Sequence, residues 1–137
     1  MTFQVAVVGG GSWGTTVAHL VSHNFPTSLW CRDPAVAKSV DQKNRNTKYL
    51  GKSKLHSRLA ASTNLKDVVN QADIILMAIP SQSYREVLRK LLPLSKVETP
   101  IISLTKGLER GTNLTMTQVI AAESPERPTG VLTGPNL

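Results

Sequence analysis

Four sets of residues in this chain have the types and spacing to handle a phosphorylated ligand. Gly9, Gly11 and Gly14 follow the apolar run Val5-Ala6-Val7-Val8 with the spacing G-x-G-x-x-G, and a helical pattern begins directly behind them. There Gly9 allows a tight turn off a strand, Gly11 lets the backbone approach a pyrophosphate, and Gly14 lets the helix pack closely on the strand. The anion would rest on the free N–H groups and the positive dipole end of that helix. Arg32 and Asp33 stand side by side behind a second short apolar run. A carboxylate at such a point accepts from ribose hydroxyls and an arginine accommodates a 2′-phosphate, so both readings are open. Arg32 comes first off the strand and Asp33 suits the N-cap before Pro34, which favours the phosphorylated nucleotide, NADP over NAD. Lys106 lies where Ile101, Ile102 and Leu104 give way to Gly107, within reach of a phosphate, a carbonyl or a nicotinamide. Asn136 follows Gly134 and Pro135, which shape a strand end so that an amide faces the same crevice.

Other chemistries find little support. His19, His23 and His56 are scattered along the chain with no carboxylate or Cys at ligand spacing, so no metal is expected. Ser12 lies in the glycine turn and not in a G-x-S-x-G elbow, which argues against a hydrolase nucleophile. The formal charge of +7 admits a nucleic-acid reading, but there are only two residues each of Trp, Tyr and Phe to stack on bases. The basic residues are densest between Lys38 and Arg58, where they read as a solvated face that also attracts small phosphorylated ligands.

These residues need a scaffold, and 137 residues with 40% hydrophobic and 18% charged composition read as one globular domain. Thr15 to His23 reads as a helix whose stripe is Val17, Ala18, Leu20 and Val21. Residues 27–31 read as a second strand, and a helix behind Pro34 carries Val36, Ala37 and Val40. The stretch 44–57 has no period and reads as a surface excursion. Arg58-Leu59-Ala60-Ala61 is a weak third strand, followed by a helix around Leu65, Val68 and Val69 capped by Ser62 or Thr63. Residues 72–79, apolar throughout apart from Asp73, read as a buried central strand. A helix with Tyr84, Val87, Leu88 and Leu91, a strand at 100–105, a helix with Leu114, Val119 and Ile120, and a strand at 129–133 complete the order. Such alternation predicts an α/β, doubly wound Rossmann-type sheet, mostly parallel, in order 3-2-1-4-5-6 with helices on both faces. The ligand crevice is then at the carboxyl ends of the strands, where all four residue sets fall. Cys31 is the single cysteine, no apolar run approaches the ~20 residues of a membrane span, and no signal-peptide pattern opens the chain; a cytoplasmic protein is expected.

The segments Gly9-Gly10-Gly11-Ser12-Trp13-Gly14-Thr15, Leu29-Trp30-Cys31-Arg32-Asp33, Asn46-Thr47-Lys48-Tyr49-Leu50, Ala78-Ile79-Pro80-Ser81-Gln82, Thr105-Lys106-Gly107-Leu108-Glu109 and Leu132-Thr133-Gly134-Pro135-Asn136 extend the pattern. Through them the chain resembles the N-terminal cofactor-binding domain of bacterial NAD(P)-dependent glycerol-3-phosphate dehydrogenase. The resemblance implies reversible hydride transfer between sn-glycerol 3-phosphate and dihydroxyacetone phosphate, supplying the backbone of phospholipids. By the same resemblance Ser12, Trp13, Arg32, Tyr49 and Lys106 contact the cofactor, and Lys106, Gly134 and Asn136 contact the substrate. The sequence departs from the family in having Gly10 where Ala is usual, and Asn136 where Ser or another small polar residue is common. The family continues into a helical domain that supplies the catalytic lysine and its acidic partner, so the catalytic residues are expected beyond Leu137. Residues 1–137 are therefore expected to be the NAD(P)-binding Rossmann domain, with no catalytic residue and with weak nucleotide binding but no turnover on their own. A homodimer is compatible with this reading. The alternatives are the cofactor domain of another two-domain hydroxy-acid or ketoacid dehydrogenase, or a non-catalytic nucleotide- or nucleic-acid-binding domain.

Overall fold

The computed structural model describes residues 2–134. Six strands form one sheet: β1 (Val5–Val8), β2 (Thr27–Trp30), β3 (Leu59–Ser62), β4 (Ile74–Met77), β5 (Ile101–Ser103) and β6 (Thr129–Val131). Their order is β3-β2-β1-β4-β5-β6, and every pairing is parallel. The order and the two-sided cover of helices match the expectation, and the sheet is parallel throughout.

Every residue of β1 is buried, yet the strand still alternates. Ala6 and Val8 enter one core with α4 (Leu65–Val69), α5 (Tyr84–Leu91) and α6 (Met116–Glu123), while Val5 and Val7 enter the other with α1 (Ser12–Ser22) and α2 (Pro34–Lys43). An apolar strand without polar alternation is what burial on both faces requires. Register matters for the site. Val8 pairs with Trp30 on one side and Met77 on the other, and Met77 pairs with Ser103. The strands thus end level, and the residues that follow them emerge along one edge.

Several local expectations are corrected. Helix α1 begins at Ser12, not Thr15, with Gly11 as its N-cap, so the glycine turn and the first helical turn are one unit. Leu20 is 59% exposed and lies off the buried stripe. Asn64, rather than Ser62 or Thr63, caps α4 by accepting from the Lys66 N–H at 3.1 Å. The excursion at 44–57 is not featureless: it holds the one-turn helix α3 (Thr47–Leu50), an antiparallel bridge between Arg45 and Lys54, and the buried Leu55. The histidines also come together. His19 and His23 have ring centroids 4.8 Å apart, and His23 and His56 4.4 Å. They nevertheless make no metal site; among the described residues no His, Cys, Asp and Glu group could hold an ion. No helix among these residues is long and apolar enough to cross a membrane.

Candidate functional site

The glycine turn shows why side chains are excluded from it. Gly9 has φ 125°, and a Cβ there would lie 2.3 Å from the Ala78 carbonyl oxygen. A Cβ on Gly14 would lie 2.0 Å from the Gly9 carbonyl oxygen, so α1 could not sit so close to β1. Gly11 differs, because a Cβ there would meet nothing within 4 Å and would project into open space. That open face leaves room for a ligand against the backbone. As N-cap, Gly11 offers no side chain to the first-turn N–H groups, and no acidic residue stands in that turn. A pyrophosphate suits both facts. Gly10 has its own reason: a Cβ there would approach the Cys31 Sγ to 2.7 Å. The Cys31 side chain occupies the space that a methyl group at residue 10 would take. Cys31 is buried, and that burial, then the charge of Asp33, pushes its thiol up to about 12, which disfavours the reactive thiolate.

The turn forms the floor of a cleft of about 570 Å³ that also takes in Ser12, Trp13, Arg32, Asp33, Lys48, Tyr49 and Pro80. Seven of the expected cofactor residues, Gly9, Gly11, Ser12, Trp13, Gly14, Arg32 and Tyr49, therefore meet in one place. Tyr49 reaches the rim from α3, and Asn46 explains how. Fully buried, Asn46 donates from Nδ2 to the Gly10 carbonyl and the Thr15 hydroxyl, each at 2.9 Å, and its Oδ1 accepts from the Tyr49 N–H at 3.3 Å. One amide thus ties the surface excursion to the glycine turn. Asp33 caps α2 through its Oδ1, which accepts from the Ala35 N–H at 2.8 Å, while its Oδ2 pairs with Lys48 Nζ at 3.3 Å. The Ala35 N–H, then the Lys48 ammonium, hold its carboxyl below the usual carboxylate range.

Lys106 lies elsewhere than the other cofactor candidates. With Gly107, Thr115, Thr117 and Gly134 it lines a second cavity of about 410 Å³, and Thr105 borders both spaces. Lys106 and Gly134 are thus brought together. Asn136 lies outside the described residues, and so does Leu137, the position beyond which the catalytic residues are expected. The loop that carries Lys106 is fastened to the segment after β4. Gln82 donates from Nε2 to the Leu108 carbonyl at 3.0 Å and accepts at Oε1 from the Arg110 N–H at 3.1 Å. Arg85 grips Glu109 with two bonds, from Nε at 2.8 Å and Nη2 at 2.9 Å, and also reaches Glu123. The Arg85 guanidinium, then the Thr112 hydroxyl, hold the Glu109 carboxyl down to about 2. The pairing of P-S-Q with T-K-G-L-E in the sequence is thus a physical contact. Residue patterns do not single out Asn46, Lys48 or Thr105: the first two sit in the aperiodic excursion, and Thr105 stands out only once both cavities are in view.

Comparison with known proteins agrees with this geometry. The family described as NAD-dependent glycerol-3-phosphate dehydrogenase N-terminus matches residues 4–137. A glycerol-3-phosphate dehydrogenase (NAD(P)+) 2 from Sphingopyxis alaskensis is 44% identical over 137 residues, which are 100% of this chain and 41% of that protein. A glycerol-3-phosphate dehydrogenase (NAD(P)+) 1 from Mycobacterium tuberculosis is 42% identical over 98% of this chain and 40% of its own length. The crystal structure of glycerol-3-phosphate dehydrogenase from Coxiella burnetii superposes with a TM-score of 0.90 at 30% identity, over 99% of this chain and 42% of that one. The chain spans about two fifths of the length of the curated relatives it matches. With its open glycine turn, parallel sheet order and matched length, it belongs to the NAD-dependent glycerol-3-phosphate dehydrogenase family, as the N-terminal domain of that enzyme.

Proposed function

We propose that this chain seats NAD or NADP for reversible hydride transfer between sn-glycerol 3-phosphate and dihydroxyacetone phosphate in the cytoplasm. The observation that carries this reading is the open face of Gly11 at the uncapped start of α1, in the cleft shared by Arg32 and Tyr49. Gly9, Gly11, Ser12, Trp13 and Gly14 form the pyrophosphate seat, and Arg32 and Tyr49 line the adenosine side. Arg32 favours NADP, because Asp33 is already occupied as a helix cap. A bound nicotinamide supplies or takes the hydride. Lys106 serves the cofactor from the neighbouring cavity and, with Gly134 and Asn136, orients the phosphorylated substrate; its ammonium complements charge on either ligand. Proton transfer is assigned to residues beyond Leu137, so the chain alone binds nucleotide without turning over substrate. The positive charge serves small phosphorylated ligands rather than nucleic acid, and a homodimer is allowed.

Thermal stabilisation by NADPH and NADH, with Arg32→Ala as control, tests the adenosine assignment. NADPH should stabilise the chain more than NADH, and the substitution should remove only that advantage, about tenfold in affinity. Equal loss with both cofactors would withdraw Arg32 as the discriminator.

A further inference from the structure

The rim beside Arg32 carries a second cation, Lys48, to which neither the glycine spacing nor the family resemblance gives a role. Lys48 belongs to α3, which the buried Asn46 anchors against the glycine turn. Its side chain is 56% exposed, and it lines the same cleft as Arg32, Asp33 and Tyr49. Its Nζ lies 3.3 Å from Asp33 Oδ2 and 5.3 Å from the centre of the Tyr49 ring. Asp33 is therefore engaged at both oxygens, by the Ala35 N–H and by Lys48. A phosphomonoester carries roughly two negative charges at neutral pH. Beside Asp33 alone such a group would be repelled, and a carboxylate facing a ribose would instead reward the free hydroxyls of NAD. Lys48 offsets that carboxylate, so Asp33 no longer weakens the pull of Arg32, whose other acidic neighbour is Glu86.

We infer that Lys48 is a specificity-determining residue that, together with Arg32, makes this rim select a 2′-phosphate over a 2′-hydroxyl. The inference rests on the proposed placing of the adenosine at Arg32. It concerns discrimination and not general affinity, because an uncharged ribose hydroxyl recruits little from an exposed ammonium.

Adenosine 2′,5′-bisphosphate and AMP differ only in the phosphate concerned, and their affinities for the chain can be measured by calorimetry. The unsubstituted chain should prefer the bisphosphate. Lys48→Met should cut that preference about tenfold and leave AMP affinity within about twofold. The melting temperature should not change, and Lys48→Arg should keep the preference. A preference that survives Lys48→Met, or equal weakening of both ligands, would overturn the inference. If Arg32→Ala loses the preference while Lys48→Met retains it, Lys48 is dismissed and the placing of the adenosine stands. An unsubstituted chain with no preference would overturn the inference too, and AMP and bisphosphate affinities that are both unchanged in Arg32→Ala would dismiss the placing of the adenosine as well.

Discussion

The four glycines of the first turn answer to different constraints, and substitution separates them. Gly9 and Gly14 are held by backbone that cannot yield, at 2.3 Å and 2.0 Å from carbonyl oxygens. Gly10 is held only by a side chain, the Cys31 Sγ at 2.7 Å. Gly10→Ala should therefore destabilise the domain by about 1–3 kcal/mol through overpacking. Adding Cys31→Ala should recover much of that loss, a coupling that chemical denaturation of the four variants would measure. Strict additivity would show that the contact between residues 10 and 31 is not what excludes a methyl group. The G-x-G-x-x-G spacing was legible in the sequence because each glycine has a fixed job relative to strand and helix. The reason for Gly10 was not, because Cys31 is 21 positions away and reaches it only through the pairing of β1 with β2.

The elements were legible wherever burial imposes a pattern. β1, β4 and the stripe of α5 follow from runs and spacings that a two-sided sheet demands. The excursion between α2 and β3 was not, because a single buried amide organises it in place of an apolar stripe. Asn46→Ala should cost about 1–3 kcal/mol by stripping partners from the Gly10 carbonyl and the Thr15 hydroxyl. Nucleotide affinity should fall as well, since Tyr49 loses its anchor; unfolding and binding assays on the same protein would show both. The opposite end of the excursion is fastened by histidines. The His56 N–H donates to His19 Nδ1 at 2.9 Å, and the Arg58 N–H donates to His56 Nδ1 at 3.1 Å. Both rings accept there and must be neutral. Burial, then neighbouring His23, lowers the pKa of each, with Arg58 adding its charge against His56. The unfolded chain takes up protons first as pH falls past the ordinary value of about 6.5, so this contribution is full above that value and is lost below it. Stability measured from about pH 7.5 to 5 should decline, and His19→Gln together with His56→Gln should flatten the decline. An unchanged slope in that double variant would place the titration elsewhere.

For the whole molecule, level strand ends turn separate loops into one functional edge. Gly9, Arg32, Pro80, Thr105 and Gly134 are far apart in the chain and share that edge because β1, β2, β4, β5 and β6 stop in register. The sheet order could be read from alternating strands and helices and from one glycine turn, since right-handed crossovers leave few other solutions. The two cavities along the edge could not, nor could the bonds by which Gln82 and Arg85 fasten the Lys106 loop to the segment after β4, because both bring together residues far apart in the chain. The central claim is that a dinucleotide pyrophosphate sits against Gly11 at the start of α1. Titration of NADPH into the unsubstituted chain and into Gly11→Ala tests it most directly, because a Cβ at Gly11 meets no protein atom and should leave the fold intact. The account predicts binding by the unsubstituted chain and at least about a tenfold loss in Gly11→Ala at an unchanged melting temperature. NADPH binding that is equal in the two proteins, or absent from both, would contradict it.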